Sequence, residues 1–117
     1  MHELSVAHSI VATVAEAIPA ESTVTVVRVR VGAMSGVMAP ALEFAWDMAA
    51  MGSVLDGSRI EVQTIPVTVR CATCNDVVRP LIGVRCPVCD RPSDEFVTGR
   101  ELEVVSVDLM EQEASVS

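Results

Sequence analysis

The chain has 117 residues, half of them hydrophobic, which is enough apolar surface for one domain, or one domain carrying a small appendage, and excludes a largely disordered polypeptide. Tyr is absent and Phe and Trp are few, so the core must be aliphatic; the formal net charge of -8, with Arg as the only strongly basic residue, disfavours contact with nucleic-acid phosphates and favours solubility and basic protein surfaces. The amino-terminal segment lacks a basic region and is interrupted by Glu3, His8 and Glu16, unlike a signal peptide, and no apolar run approaches the roughly 20 residues that span a bilayer. A cytoplasmic protein without membrane contact is expected, and a reducing compartment turns its four cysteines toward metal binding or redox chemistry rather than structural disulfides.

Residues 4–18 carry Leu4, Ala7, Val11, Val14 and Ile18 at helical spacing, widened by Ile10 and Ala15, and Pro19 ends the helix. In "TVTVVRVRV", Val27, Val29 and Val31 alternate with Arg28 and Arg30 as in a half-buried strand whose arginine face is solvated. "GAMSGVMAP" is a loop, and Pro40 suits the first turn of a second helix that places Ala41, Leu42, Ala45, Met48 and Ala49 on one face, with Phe44 and Met51 beside it, and stops at Gly52. Core packing is expected for Trp46, Met34, Met38, Met48 and Met51, since thioethers prefer Cu(I) over harder ions and Met48 and Met51 have ordinary helical spacing.

After the "LDGS" turn, "RIEVQTIPV" reads as a strand that leaves its sheet at Pro66. Residues 67–97 change character: they hold all four cysteines and show no helical period. "RELEVVSVDLM" then resumes alternation, with Leu102, Val104 and Ser106 on one side and Val105, Val107 and Leu109 on the other, before a polar tail that is expected to fray. The order implies an α+β protein, a small three-stranded sheet with two helices formed by residues 1–66 and 98–117, into which residues 67–97 insert as a zinc-ribbon-like module with four cysteine ligands. Insertion brings the two junctions close together and permits hinged movement or a domain-swapped homodimer.

The strongest local signal is the pair of Cys-x-x-Cys knuckles, Cys71 with Cys74 and Cys86 with Cys89. Each knuckle offers two thiolates from one tight turn, and two facing turns close a tetrahedron with Zn–S distances of about 2.3 Å. Four protein ligands leave no open position, so Zn(II) here should organise the fold rather than catalyse, and the segment should be unfolded without it. The spacing also suits iron, but zinc is the preferred ion. Asn75 and Asp90 stand where a glycine often follows a knuckle, and both tolerate the left-handed backbone the turns need. A single redox-active pair would require an activating environment that the residues do not supply.

The chain opens "MHEL". The Met1 amine, the His2 amide, the His2 imidazole and the Glu3 amide can form fused chelate rings of four nitrogens, a set that suits the tetragonal preference of Ni(II) or Cu(II). On residue chemistry alone, a histidine at a chain end is more often simply solvated.

Together, "MHELSVAHSI", "VRVRVGAMSGVMAPALEFAWDMA", "LDGSRIEV", the paired knuckles and "GRELEVVSVD" resemble, in order and over nearly the whole chain, the HypA family with its HybF relatives, nickel metallochaperones of nickel–iron hydrogenase maturation. The resemblance implies that the protein is not an enzyme. It implies Ni(II) as transferred cargo at Met1, His2 and Glu3, with His2 essential, and structural Zn(II) at Cys71, Cys74, Cys86 and Cys89. It further implies delivery with the HypB GTPase to the hydrogenase large-subunit precursor. His8, where many relatives carry glutamine, lies six residues past His2 and off its helical face, and reads as a partly exposed helix residue rather than a second ligand.

The competing reading is a zinc-ribbon module that binds nucleic acid or a protein partner. Arg70, Arg79, Arg85 and Arg91 supply local positive charge, but Asp76, Asp90, Asp94 and Glu95 oppose it and only Phe96 is at hand for base stacking. A zinc hydrolase or deaminase lacks both an open metal position and a His-x-Glu ligand motif.

Overall fold

The computed structural model describes residues 3–110. Its elements are α1 (Glu3–Ala17), β1 (Val24–Gly32), α2 (Ala39–Ala50), β2 (Arg59–Ile65), β3 (Thr68–Cys71), β4 (Asp76–Val78), β5 (Phe96–Thr98) and β6 (Leu102–Leu109). The α+β class, the two helices, the three-stranded sheet and the four-cysteine segment all appear as the sequence implies. The termini read as Met1, His2 and the polar tail lie outside the described residues.

β1 sits at the centre of the first sheet because it can bury one whole face: Val27, Val29 and Val31 are almost fully enclosed. β2 runs parallel to it on one side, reached through α2, and β6 runs antiparallel on the other, giving the order β2-β1-β6. Both helices lie over the valine face and contact each other, closing a core with Val6, Ala7, Ile10, Val11 and Val14 of α1 and Leu42, Trp46, Ala49 and Ala50 of α2. Each such aliphatic side chain removed from water contributes about 1.5–3 kcal/mol before entropy is counted. The opposite face carries the arginines: Arg28 reaches Asp108 at 2.8 Å and Glu61 at 3.0 Å, and Arg30 reaches Glu103 at 2.8 Å.

Three sequence expectations need correction. α1 buries Val6 rather than Leu4 and Ala15, which are exposed. α2 is rotated by about one residue from the expected face: Trp46 is enclosed at 1 % exposure, while Met48 and Met51, expected in the core, are exposed with Phe44 at 91 %. The indole decides the rotation, because it is the largest side chain available and its N–H finds a buried partner, Nε1 donating to Ser58 Oγ at 3.0 Å. Met34 and Met38, in the loop before α2, are likewise exposed.

The third correction concerns β6. Arg28 pairs with Ser106 but Val29 pairs with Val104, so Val105 is an extra residue in the ladder. A bulge of this kind resets the alternation. Val104 and Val107, three residues apart, therefore both pack on the core, while Glu103 and Asp108 meet the arginines.

β2 ends at Ile65, before Pro66, and the chain passes into a second sheet of order β4-β3-β5 that the sequence periodicity does not reveal. The outgoing and returning strands cross side by side. Thr98 Oγ1 donates to the Pro66 carbonyl at 2.8 Å, Gly32 N–H to the Glu101 carbonyl at 2.7 Å, and Met34 N–H to the Gly99 carbonyl at 2.6 Å. Gly32 is required there, since a Cβ would overlap the Gly99 carbonyl and the Arg100 nitrogen.

Candidate metal centre

Each cysteine pair sits at the turn of a small hairpin. In the first, Cys71 ends β3 and pairs with Asp76 of β4, so the intervening residues must reverse direction, which Asn75 does with φ of 52°. In the second, Arg85 bridges Pro92, Cys86 N–H donates to the Arg91 carbonyl at 2.9 Å, and Asp90 closes the turn with φ of 60°. Asn and Asp pay little for this left-handed geometry because their short polar side chains accept it.

The two turns face each other. All four sulfurs lie within 4.8 Å of one another, with Cys71 Sγ 3.4 Å from Cys89 Sγ and Cys74 Sγ 3.9 Å from Cys86 Sγ. A tetrahedron of Zn–S bonds near 2.3 Å has edges of about 3.8 Å, so the donor set fits a closed four-sulfur site. Cys71 and Cys86 are buried and no disulfide is present among the four.

Backbone amides point at the sulfurs: Cys74 N–H donates to Cys71 Sγ and Val88 N–H to Cys86 Sγ, each at 3.4 Å. The Cys74 amide, followed by the Cys89 thiol, holds the Cys71 thiol down at about 7, whereas the crowding sulfurs, Cys71 first, push Cys74 up to about 12. One thiol of the group gives up its proton readily and its neighbour resists, because a second negative sulfur so near the first is unfavourable. A divalent cation at the centre removes that conflict.

Two of the four arginines around the knuckles, Arg70 and Arg85, are engaged with acidic neighbours. Arg70 approaches Glu95 at 3.7 Å, Arg85 approaches the Asp90 carboxylate at 3.8 Å and donates to its carbonyl at 2.9 Å, and Arg100 covers the Phe96 ring at 4.1 Å. That arrangement disfavours the nucleic-acid reading.

Of the amino-terminal trio, Met1 and His2 lie outside the described residues. Glu3 is the first residue of α1, and its carboxylate accepts the Met38 N–H at 3.3 Å. The sequence did not reveal this contact, although one sign was present: no Ser, Thr, Asp or Asn stands at the start of α2. His8 is exposed on α1, outside the four-sulfur group. A groove of about 610 Å³ between α1 and β6 is lined by Ser5, Ser9 and Thr13 over Val6, Ile10 and Val104, and its one carboxylate, Glu103, is paired with Arg30. It contains no nucleophile and base in register for catalysis.

A family model described as hydrogenase/urease nickel incorporation, metallochaperone, hypA matches residues 1–109. The chain belongs to the HypA family. Its similarity extends to the hydrogenase maturation factor HypA of Chloroflexus aurantiacus, 45% identical over 114 residues that cover 92% of this chain and 98% of the relative. The HypA of a Roseiflexus species is 41% identical over 112 residues, covering 92% and 91%. The solution structure of the Ni metallochaperone HypA from Helicobacter pylori superposes with a TM-score of 0.67 over 96% of this chain and all of that one, at 22% identity, which establishes a shared fold. HypA proteins are metallochaperones of nickel incorporation and act in hydrogenase maturation, so this chain is a maturation factor with a four-cysteine metal-binding group and not an enzyme. Among the described residues no helix is long and apolar enough to cross a membrane.

Proposed function

We propose that the chain binds one Ni(II) at its amino terminus, through the Met1 amine, the His2 amide and imidazole and the Glu3 amide, and delivers it for maturation of nickel–iron hydrogenase. Cys71, Cys74, Cys86 and Cys89 hold structural Zn(II) within a module of residues 67–97, and residues 1–66 and 98–117 form the nickel domain. The observation that carries this reading is the closure of the four-sulfur group, the one cluster of three or more potential side-chain ligands among the described residues. A site with four protein donors has no position left for cargo. Cargo must find other donors, and the chain has two histidines. His8 lies on the exposed flank of α1, whereas His2 stands beside a free amine and two amides.

The fold favours the amide donors. As the first residue of α1, Glu3 has a backbone N–H with no intrahelical acceptor, so it can lose its proton without breaking a helix bond. Two deprotonated amides also cancel the charge of Ni(II), which removes the electrostatic objection to a cation at the positive end of a helix. Because every donor must be deprotonated, affinity falls with pH, and protonation in a partner's environment releases the metal. A chain-end chelate is open on one side and can hand its ion to a partner by stepwise ligand exchange. The partners on this reading are the HypB GTPase and the hydrogenase large-subunit precursor, in the cytoplasm, with a homodimer as a further assembly.

Metal analysis of untagged protein and its His2→Gln variant after dialysis against Ni(II) tests the reading. Nickel is lost from the variant while one zinc per chain remains in both. Nickel retained by His2→Gln but lost on Cys71→Ser would overturn it.

A further inference from the structure

α2 begins without a side-chain cap. Its N-cap residue is Met38, Pro40 follows in the first turn with no N–H to offer, and the nearest hydroxyl, Ser35 Oγ, accepts the Val37 amide at 3.2 Å instead. The group that meets this helix start comes from 35 positions earlier in the chain: Glu3 Oε2, accepting the Met38 N–H at 3.3 Å. Helix starts favour an anionic partner, through their free amides and the aligned peptide dipoles. Here that partner is borrowed from the first turn of α1.

We propose that the Glu3 side chain is a positioning group for the nickel site, a latch that fixes the first residue of α1 to the start of α2 and is not itself a nickel ligand. The inference rests on the amino-terminal nickel reading. Met1, His2 and Glu3 have to fold into fused chelate rings around the ion, and the first turn of an unanchored helix loses order easily. Anchoring Glu3 settles one end of that chelate before nickel arrives. Ordering one residue's backbone corresponds to roughly a tenfold change in a binding constant. The latch also occupies the carboxylate, which keeps an oxygen donor away from an otherwise all-nitrogen set suited to Ni(II).

Nickel titration of the untagged chain, followed by its ligand-field absorption, tests the latch in four variants: Glu3→Ala, Glu3→Gln, Met38→Pro and the Glu3→Ala/Met38→Pro double. Glu3→Ala keeps the backbone nitrogen and therefore binds one nickel with an unchanged spectrum, about tenfold more weakly. Glu3→Gln retains an oxygen that can accept the Met38 amide and binds close to the native affinity. Met38→Pro removes the donor and weakens binding by the same factor as Glu3→Ala, and the double variant weakens it no further, the sign of two groups acting as one contact. A changed spectrum in Glu3→Ala would make the carboxylate a ligand and overturn the proposal, as would native affinity in Glu3→Ala or an additive double variant. Glu3→Gln keeps the test decisive if Met38→Pro disturbs the Trp46 emission of the folded protein: an affinity as low as that of Glu3→Ala overturns the latch. Acetylation of the terminal amine separates the two levels, since undiminished nickel binding there defeats the amino-terminal site itself and not merely the latch.

Discussion

Replacing Ser58 by Ala should destabilise the protein by about 2 kcal/mol, because it strands a buried indole N–H. Trp46 is 1 % and Ser58 4 % exposed, and the 3.0 Å bond between them links α2 to the turn that leads into β2. No buried side-chain nitrogen or oxygen among the described residues lacks a partner, so the indole N–H would become the exception in an otherwise paired interior. A donor left unpaired in such a setting costs roughly 1–3 kcal/mol, and the middle of that range lowers the folded-to-unfolded ratio about thirtyfold and the melting temperature by roughly 5–10 °C. Trp46 is the chain's one tryptophan, so urea unfolding followed by its emission reports the same locus that is perturbed. A double-mutant cycle isolates the bond: Trp46→Phe should cost less in the Ser58→Ala background than in the native chain, measured by circular dichroism, because the donor no longer has an acceptor to lose. Ser58→Ala within 0.5 kcal/mol of the native stability, with unchanged emission, would refute the reasoning; the threshold is about the size of ordinary surface effects.

Three further outcomes follow from the geometry. Gly32→Ala places a methyl against the Gly99 carbonyl and the Arg100 nitrogen, both backbone, so overpacking of about 1–3 kcal/mol should appear in urea unfolding, with faster hydrogen exchange at Met34 and Gly32, whose amides hold that crossing. Stripping metal with a chelator, or Cys86→Ser, should unfold residues 67–97 selectively: amide protection of β3 and β5 disappears while Trp46 emission keeps its native maximum, because the core around α1, α2 and β1 contains none of the four cysteines. Acid should expose the arginine zipper. Hydrogen bonds from Arg28 and Arg59 hold Asp108 and Glu61 below their ordinary values of 3.8 and 4.5. Groups held lower in the folded than in the unfolded state contribute their full stability above those ordinary values and lose it as pH falls below them. Arg28→Met should therefore be less stable than native at pH 7 but show a shallower loss between about pH 4.5 and 2.

Much of this fold can be read from its residues, for reasons that differ by element. β1 is legible because a strand with one buried face must alternate, and Val27, Val29 and Val31 do so against two arginines. The knuckle turns are legible because four sulfurs and a tight reversal leave few solutions, and Asn75 and Asp90 adopt the left-handed backbone their chemistry permits. The buried face of α2 is harder, since hydropathy does not distinguish Met48 from Trp46; the decision is made by volume and by a hydroxyl twelve residues away. The bulge at Val105 leaves no mark in the hydrophobic pattern, because an extra valine looks like any other. β4 and β5, at three residues each, are too short to show a period. The contact of Glu3 with Met38 depends on how α1 and α2 pack, which is a property of the assembled fold and not of any local stretch.

The fold leaves an apolar patch on the outer side of α2, where Phe44 and Met48 lie one turn apart and Met51 follows at the C-cap, with Glu43 and Asp47 exposed beside them. An exposed apolar patch of this kind reduces solubility unless it is used. It runs along the helix whose start is tied to Glu3, so it shares a rigid element with the proposed nickel terminus.

The most direct measurement is a nickel titration of the zinc-loaded, untagged chain beside the same chain acetylated at its amino terminus. Acetylation leaves every side chain and the chain length in place and removes only the terminal amine as a donor. One Ni(II) bound by the native chain and none by the acetylated chain, with zinc retained by both, is the predicted result. Equal nickel binding by the two proteins would contradict a chelate built from the chain end.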